Sequence, residues 1–191
     1  TGKVSMKVCN AVYEADIYMQ NTPQITTANA ILTLQNEKGK TTKQDLRITV
    51  YEWKNKEKIV YSKEIKGISL NKGMNELKIP ISAPEAKLWS VDDPNLYVCQ
   101  VELSEGKNWV DKDSRRFGFR WFEASGIGDD AVFRLNGKRI MLRSAISWSF
   151  WPVNGIFPSE ELAERQIRIA KELGLNMLNF HRFIGNTDVM N

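Results

Sequence analysis

The spacing of apolar residues changes once along this chain, and that change divides it into two parts of different architecture. Up to about Phe122 apolar side chains recur at every second position. Leu46, Ile48 and Val50 alternate with Arg47, Thr49 and Tyr51, and Tyr97, Cys99, Val101 and Leu103 repeat the pattern, as strands with one buried face require. Further strand runs lie at 8–13, 30–34, 59–62, 77–81 and 109–110, separated by polar turns such as 36–39, 71–73 and 105–108. About seven short strands with such turns predict a mainly β fold, an immunoglobulin-like β-sandwich.

Beyond Pro158 the period is helical. Leu162, Ala163, Ile167, Ala170 and Leu173 share one face, while Glu164, Arg165, Arg168, Lys171 and Glu172 stay polar. Ser159 is a good N-cap, Glu160 and Glu161 suit the positive end of the helix dipole, and Gly174 can take the left-handed position that ends a helix. Candidate strands at 141–146 and 175–180 flank the helix, which predicts one right-handed strand–helix–strand crossover.

The two parts meet in a stretch dense with signals. Asn136-Gly137, flanked by Phe133, Leu135, Ile140 and Leu142, predicts a hairpin, because both central residues of a type I′ turn need positive φ. A linker is expected at 124–130. Trp89 precedes the turn sequence Asp92-Asp93-Pro94-Asn95 and reads first as a seam anchor and only second as a sugar-stacking ring.

Composition narrows the function classes. The net charge of +4 raises the question of nucleic acid, but Lys54, Lys56 and Lys58 are interleaved with Glu52 and Glu57, and Lys63 and Lys66 flank Glu64. Diluted charge of this kind is a solvated surface, so no nucleic-acid partner is expected. No apolar run reaches the ~18 residues of a membrane span, so no membrane partner is expected either. Thr1-Gly2-Lys3 has no signal-peptide core. Because processing removes such segments, periplasmic and extracellular locations stay open. Cys9 and Cys99 lack metal-ligand spacing and sit in apolar strand patterns, which predicts buried free thiols. No metal or cofactor is expected.

The seam also carries an ordered set of motifs. Leu88-Trp89-Ser90, Asp93-Pro94-Asn95-Leu96-Tyr97, Asp113, Arg116-Phe117-Gly118-Phe119-Arg120, Phe133, Leu135-Asn136-Gly137-Lys138, Ile140 and Leu142-Arg143 follow one another in sequence. In this order they resemble glycoside hydrolase family 2, the group of β-galactosidases, β-glucuronidases and β-mannosidases. The resemblance implies a sandwich over 1–123 and, over 124–191, the opening of a TIM-barrel catalytic domain that is incomplete. It also implies a carbohydrate substrate for the full-length enzyme and hydrolysis of O-glycosidic bonds by two carboxyl groups. The competing reading is a non-catalytic carbohydrate-binding or adhesion sandwich, which needs no barrel helix. An immunoglobulin-like interaction module is a third, and leaves the ordered motifs unexplained.

In the resembled family both catalytic glutamates stand on later barrel strands, so no catalytic residue is expected here. Glu160, Glu161, Glu164 and Glu172 read as helix surface. Substrate contacts fall instead at the ends of the first two barrel strands, where a barrel places its functional groups. These are Trp148 after the first, and Asn179, His181 and Arg182 at the second. His181, the only histidine, matches the histidine that the family keeps beside its pocket. Three positions depart from the pattern: Ser144 replaces a glycine, Trp148 stands near a histidine position, and Asn179 stands near an arginine position. Trp148 and Trp151 form either a sugar-stacking platform or a contact buried against the sandwich. The apolar faces that absent barrel units would cover are expected to bind the sandwich, pair with another chain or fray.

Overall fold

A computed structural model describes residues 6–106, 108–147, 155 and 159–181. Seven antiparallel strands form the first part: β1 (Val12–Asn21), β2 (Thr27–Asn36), β3 (Thr42–Glu52), β4 (Asn55–Leu70), β5 (Gly73–Ser82), β6 (Tyr97–Glu105) and β7 (Asn108–Phe117). They divide into a three-stranded sheet, β1-β2-β5, and a four-stranded sheet, β4-β3-β6-β7. The chain changes sheet between β2 and β3, between β4 and β5, and again between β5 and β6, as in immunoglobulin-like sandwiches.

Alternation builds the core. Ala30, Leu32 and Leu34 of β2 join Leu46, Ile48 and Val50 of β3 and Cys99, Val101 and Leu103 of β6 in one buried cluster. Tyr97 opens β6 fully buried, and its hydroxyl accepts a hydrogen bond of 2.7 Å from the Lys87 backbone N–H. A tyrosine at this corner, two residues before a core cysteine, pins the loop that enters the strand. Its ring packs edge-on to Phe119 with centroids 5.3 Å apart, and Phe119 packs in the same way on Phe117 at 4.9 Å.

The short strand expected at 59–62 is the middle of the 16-residue β4, which runs on through the Lys/Glu segment because β3 pairs with it along its length, and the candidates at 141–146 and 175–180 narrow to 144–147 and 177–180. Two further differences have a local cause. The first strand starts at Val12 and runs to Asn21, where the sequence suggests 8–13. A bulge between Glu14 and Asp16 shifts the register, so Ile17 returns to the core out of step with Val12 and Glu14 and the alternation is lost. The expected linker at 124–130 is partly strand. β8 (Phe122–Ser125) pairs with β9 (Val132–Leu135), which pairs with β10 (Lys138–Ile140), and Gly128–Asp130 is a short 3-10 turn. The hairpin turn forms as predicted, with φ of 53° at Asn136 and 78° at Gly137.

The last elements are β11 (Ser144–Ser147), α1 (Glu160–Glu172) and β12 (Met177–Phe180). β11 and β12 are parallel neighbours, as a strand–helix–strand unit requires. Ser159 caps the helix by accepting from the Leu162 N–H at 3.3 Å, and Gly174 follows its end at φ 75°. Both thiols are free, Cys99 buried and Cys9 half-buried. No helix among the described residues is long and apolar enough to cross a membrane.

Candidate functional site

The paired strands β11 and β12 bring two of the sequence-predicted residues, Asn179 and His181, to one place. Their register sets Ile146 beside Asn179 and Ser147 beside Phe180, so both strands end at one level. At that level the His181 N–H donates to the Ser147 carbonyl at 3.0 Å. Alternation then sorts the side chains. Phe180 packs with Leu162, Ala163 and Ile167 of α1, and the Gln166 side-chain amide donates to the Ser147 hydroxyl at 3.3 Å. Ile146, Met177 and Asn179 occupy the other face of the strand pair and are exposed. Asn179 and His181 are thus the sequence-predicted groups at the C-terminal end of the described strands, while Trp148, Trp151 and Arg182 lie outside the described residues.

Three side chains hold this unit together, of which the sequence reading names only Arg143, as a motif residue without a structural task. Asn176 accepts from the Arg143 N–H at 2.8 Å and donates to the Met141 carbonyl at 2.9 Å, tying the entrance of β12 to the approach to β11. Arg143 Nε donates to the Gly174 carbonyl at 2.6 Å, which puts a cation at the negative end of the α1 dipole. Gln166 supplies the third tie. Asn176 could have been singled out as a polar residue at the mouth of a strand beside the motif residue Arg143. Nothing in the sequence distinguishes Gln166 from a surface glutamine.

The acids of α1 offer no catalytic pair. Glu160, Glu161, Glu164 and Glu172 are all exposed, and Glu172 pairs with Arg168 at 3.1 Å. Glu161 is held below the usual carboxylate range by the Ser159 hydroxyl, as an N-terminal helix acid should be. Among the described residues no three of His, Cys, Asp and Glu converge as a metal site.

The seam is built on Asn136. Its backbone N–H donates to the Trp121 carbonyl at 2.7 Å and its Oδ1 accepts from the Trp121 N–H at 2.9 Å, while its Nδ2 donates to the Trp89 carbonyl at 2.9 Å. Trp89 in turn lies against Gly118, where a Cβ would come within 2.9 Å of the Trp89 Cβ. The motif residues Trp89, Gly118 and Asn136 therefore form one contact chain from the sandwich to the hairpin.

Comparison with known proteins gives this sequence a family. The family described as Glycosyl hydrolases family 2 matches residues 13–120, more than half of the sequence. The chain belongs to glycoside hydrolase family 2. This family-2 chain is similar to a β-galactosidase of Thermoanaerobacterium thermosulfurigenes, with 33% identity over 95 residues, 49% of this chain and 13% of the relative. It superimposes on the crystal structure of a Parabacteroides merdae β-glucuronidase with a TM-score of 0.72 and 26% identity, over 94% of this chain and 22% of that one. A glycosyl hydrolase family 2 member from Bacteroides cellulosilyticus shares the fold at a TM-score of 0.83 and 23% identity, over 96% of this chain and 24% of that one. The family-2 chain spans about a tenth of the length of the curated relatives it matches, between 9% and 13%.

Proposed function

We propose that this chain is the sandwich, residues 1–123, and the opening of the (β/α) barrel, residues 124–191, of an enzyme that hydrolyses O-glycosidic bonds in β-galactoside- or β-glucuronide-type carbohydrates. The observation that carries the reading is a parallel strand pair with α1 between its strands in sequence, following a family-2 sandwich and the small β8-β9-β10 sheet. A non-catalytic sandwich has no use for such a unit. A complete barrel of this kind takes roughly 250 residues and sets its catalytic groups at strand C-terminal ends. The proposed cleavage uses two carboxyl groups, one to protonate the leaving oxygen and one to attack, about 5 Å apart in a retaining enzyme. In this reading neither is supplied by the chain, whose α1 glutamates lie on the helix surface.

On the same reading His181, Asn179, Arg182 and Trp148 line the pocket mouth. An imidazole there donates or accepts a hydrogen bond to a sugar hydroxyl, and such a contact raises turnover where it strengthens as the ring distorts.

Two measurements test the reading. The 191-residue chain, assayed against nitrophenyl β-galactosides, β-glucuronides and β-mannosides, should show no turnover; activity that copurifies with the chain through repeated chromatography sinks it. In the full-length enzyme, His181→Ala should lower kcat/KM by about 10- to 1,000-fold, ~1.4–4 kcal/mol, with Tm nearly unchanged. A fall in Tm with near-normal kinetics makes His181 structural instead.

A further inference from the structure

The turn at Asn136-Gly137 carries a reactivity that hydrolysis at barrel strand ends does not use. Where glycine follows asparagine, the backbone nitrogen can attack the side-chain amide with little hindrance, because glycine has no Cβ to shield it. A bond forms between the Gly137 nitrogen and Asn136 Cγ. The Cγ–Nδ2 bond breaks, and ammonia leaves with the proton lost from the Gly137 nitrogen, giving a five-membered succinimide. Water then opens the ring. Cleavage at Cγ leaves aspartate, and cleavage at the former backbone carbonyl leaves isoaspartate, whose main chain is longer by one carbon.

The folded seam holds the pair in a geometry that opposes this attack. Leu135 pairs with Lys138, so Asn136 and Gly137 are the whole of a two-residue hairpin turn, with φ of 53° and 78°. Positive φ at both central residues defines a type I′ turn, in which ψ at the first is about +30°. With such a ψ the Asn136 Cβ and the Gly137 nitrogen stand on opposite sides of the Cα–C bond, whereas ring closure needs them on the same side. Rotation about that bond undoes the turn. The side chain is anchored as well: Oδ1 accepts from the Trp121 N–H at 2.9 Å, and Nδ2, the departing group, donates to the Trp89 carbonyl at 2.9 Å.

We propose that Asn136-Gly137 is a deamidation site that the closed seam keeps inert and that, once it has reacted, stops the seam from closing again. Aspartate puts a carboxylate oxygen where a donor faced the Trp89 carbonyl, so acceptor meets acceptor. Isoaspartate lengthens the main chain inside a turn whose two residues set the register of β9 on β10. Each opening of the seam therefore carries a chance of permanent loss. The inference rests on the hairpin and its contacts and does not depend on the barrel reading.

Peptide mapping by mass spectrometry tests it on the 191-residue chain, incubated in mildly alkaline buffer with and without guanidinium chloride. The sequence holds a second such pair, Asn154-Gly155, which gives the rate of the same chemistry in denaturant. There Asn136 should convert to aspartate and isoaspartate at a rate similar to that of Asn154. In buffer alone Asn136 should convert at least about tenfold more slowly than in denaturant, because only the opened fraction reacts. Chain aged in denaturant, refolded and fractionated by ion exchange should then melt below the parent in the fractions that mapping assigns to position 136. Asn136→Asp, made without ageing, should also melt lower, and the aged fractions carry the test where that variant does not fold. Equal rates at Asn136 in buffer and denaturant, no conversion of Asn136 in denaturant while Asn154 reacts, or fractions modified at 136 with the parent's Tm each overturn the proposal.

Discussion

Burial governs the behaviour of Glu14 more than any partner does. Its side chain is 1% exposed and neither carboxyl oxygen has a hydrogen-bond partner, so desolvation pushes its pKa from 4.5 up to about 8, with Asp113, Asp111 and Asp16 adding to the rise and Lys7 opposing it. Below pH 4.5 folded and unfolded chains both hold the proton. Between 4.5 and about 8 the unfolded chain binds fewer protons than the folded one, so stability falls as pH rises and the loss is complete above 8. Cys99, which faces Glu14 from β6, is pushed up to about 12 and stays silent in this range. Glu14→Gln should therefore flatten the urea-unfolding profile between pH 5 and 9. It should exceed the parent chain by on the order of 1–3 kcal/mol at pH 9, after the desolvation of glutamine itself is set against the gain. A parent profile already flat over that range contradicts the assignment. Tyr97 makes the opposite kind of prediction. Its hydroxyl is the acceptor for the Lys87 N–H, so Tyr97→Phe leaves a donor unpaired at a buried corner and should cost about 1–3 kcal/mol, read from the denaturation midpoint at constant m.

At the scale of elements, the hairpin at 132–140 depends on one residue more than on its strands. Asn136 holds a left-handed backbone conformation that asparagine tolerates, and its side chain bonds both Trp121 and Trp89. Asn136→Ala removes both side-chain bonds and adds backbone strain, and should lower stability by about 2–4 kcal/mol in thermal melts. Gly118→Ala belongs to the same contact chain: the added methyl meets Trp89 at 2.9 Å and the Asn95 carbonyl at 3.1 Å, which overpacks the seam by about 1–3 kcal/mol. Either variant with the parent's Tm would uncouple the seam from the fold. These elements also separate what a sequence reveals from what it hides. The Asn136-Gly137 turn, the Ser159 cap, the Gly174 stop and the alternating core of β2, β3 and β6 follow from local rules, and all are legible. The run of β1 to Asn21 is not, since a bulge at Glu14 and Asp16 destroys the period that would announce it. Nor is β8, whose four residues become a strand only because the hairpin offers an edge. A third kind of feature is hidden because its parts are distant in sequence: Trp53, Trp89 and the segment from Arg116 to Arg120 come together only when the sheet and its flanking loops form. By contrast, the meeting of Asn179 and His181 with the end of β11 follows directly from the strand–helix–strand order.

Across the whole molecule apolar burial is lopsided, and stability should follow it. The sandwich has one continuous buried cluster drawn from both sheets. After Phe119 the only fully buried apolar side chain among the described residues is Ala163, with Leu162, Ile167 and Phe180 half-buried around it. On that part Ile127, Met141, Ile146 and Leu173 remain exposed, Ile127 to 92% and Leu173 to 73%. A helix of this length gains little from propensity in water and depends on packing, here on one apolar stripe over two strands. Local opening of α1 should then require much less free energy than global unfolding. Native-state hydrogen exchange should show it: amides of 163–172 should exchange at least about 100-fold faster than those of Leu46, Ile48 and Val101, a gap of roughly 2.7 kcal/mol in opening free energy. Limited proteolysis should agree, with first cuts falling between Gly126 and Asn191 and the segment from Ile31 to Tyr97 surviving. Self-association through the exposed face of β11 and β12 would reverse the expectation by covering Ile146 and Met177, so both measurements belong at two protein concentrations. Protection of α1 that rises with concentration identifies a second copy as the cover. Protection equal to that of β3 at every concentration contradicts a weak second part altogether.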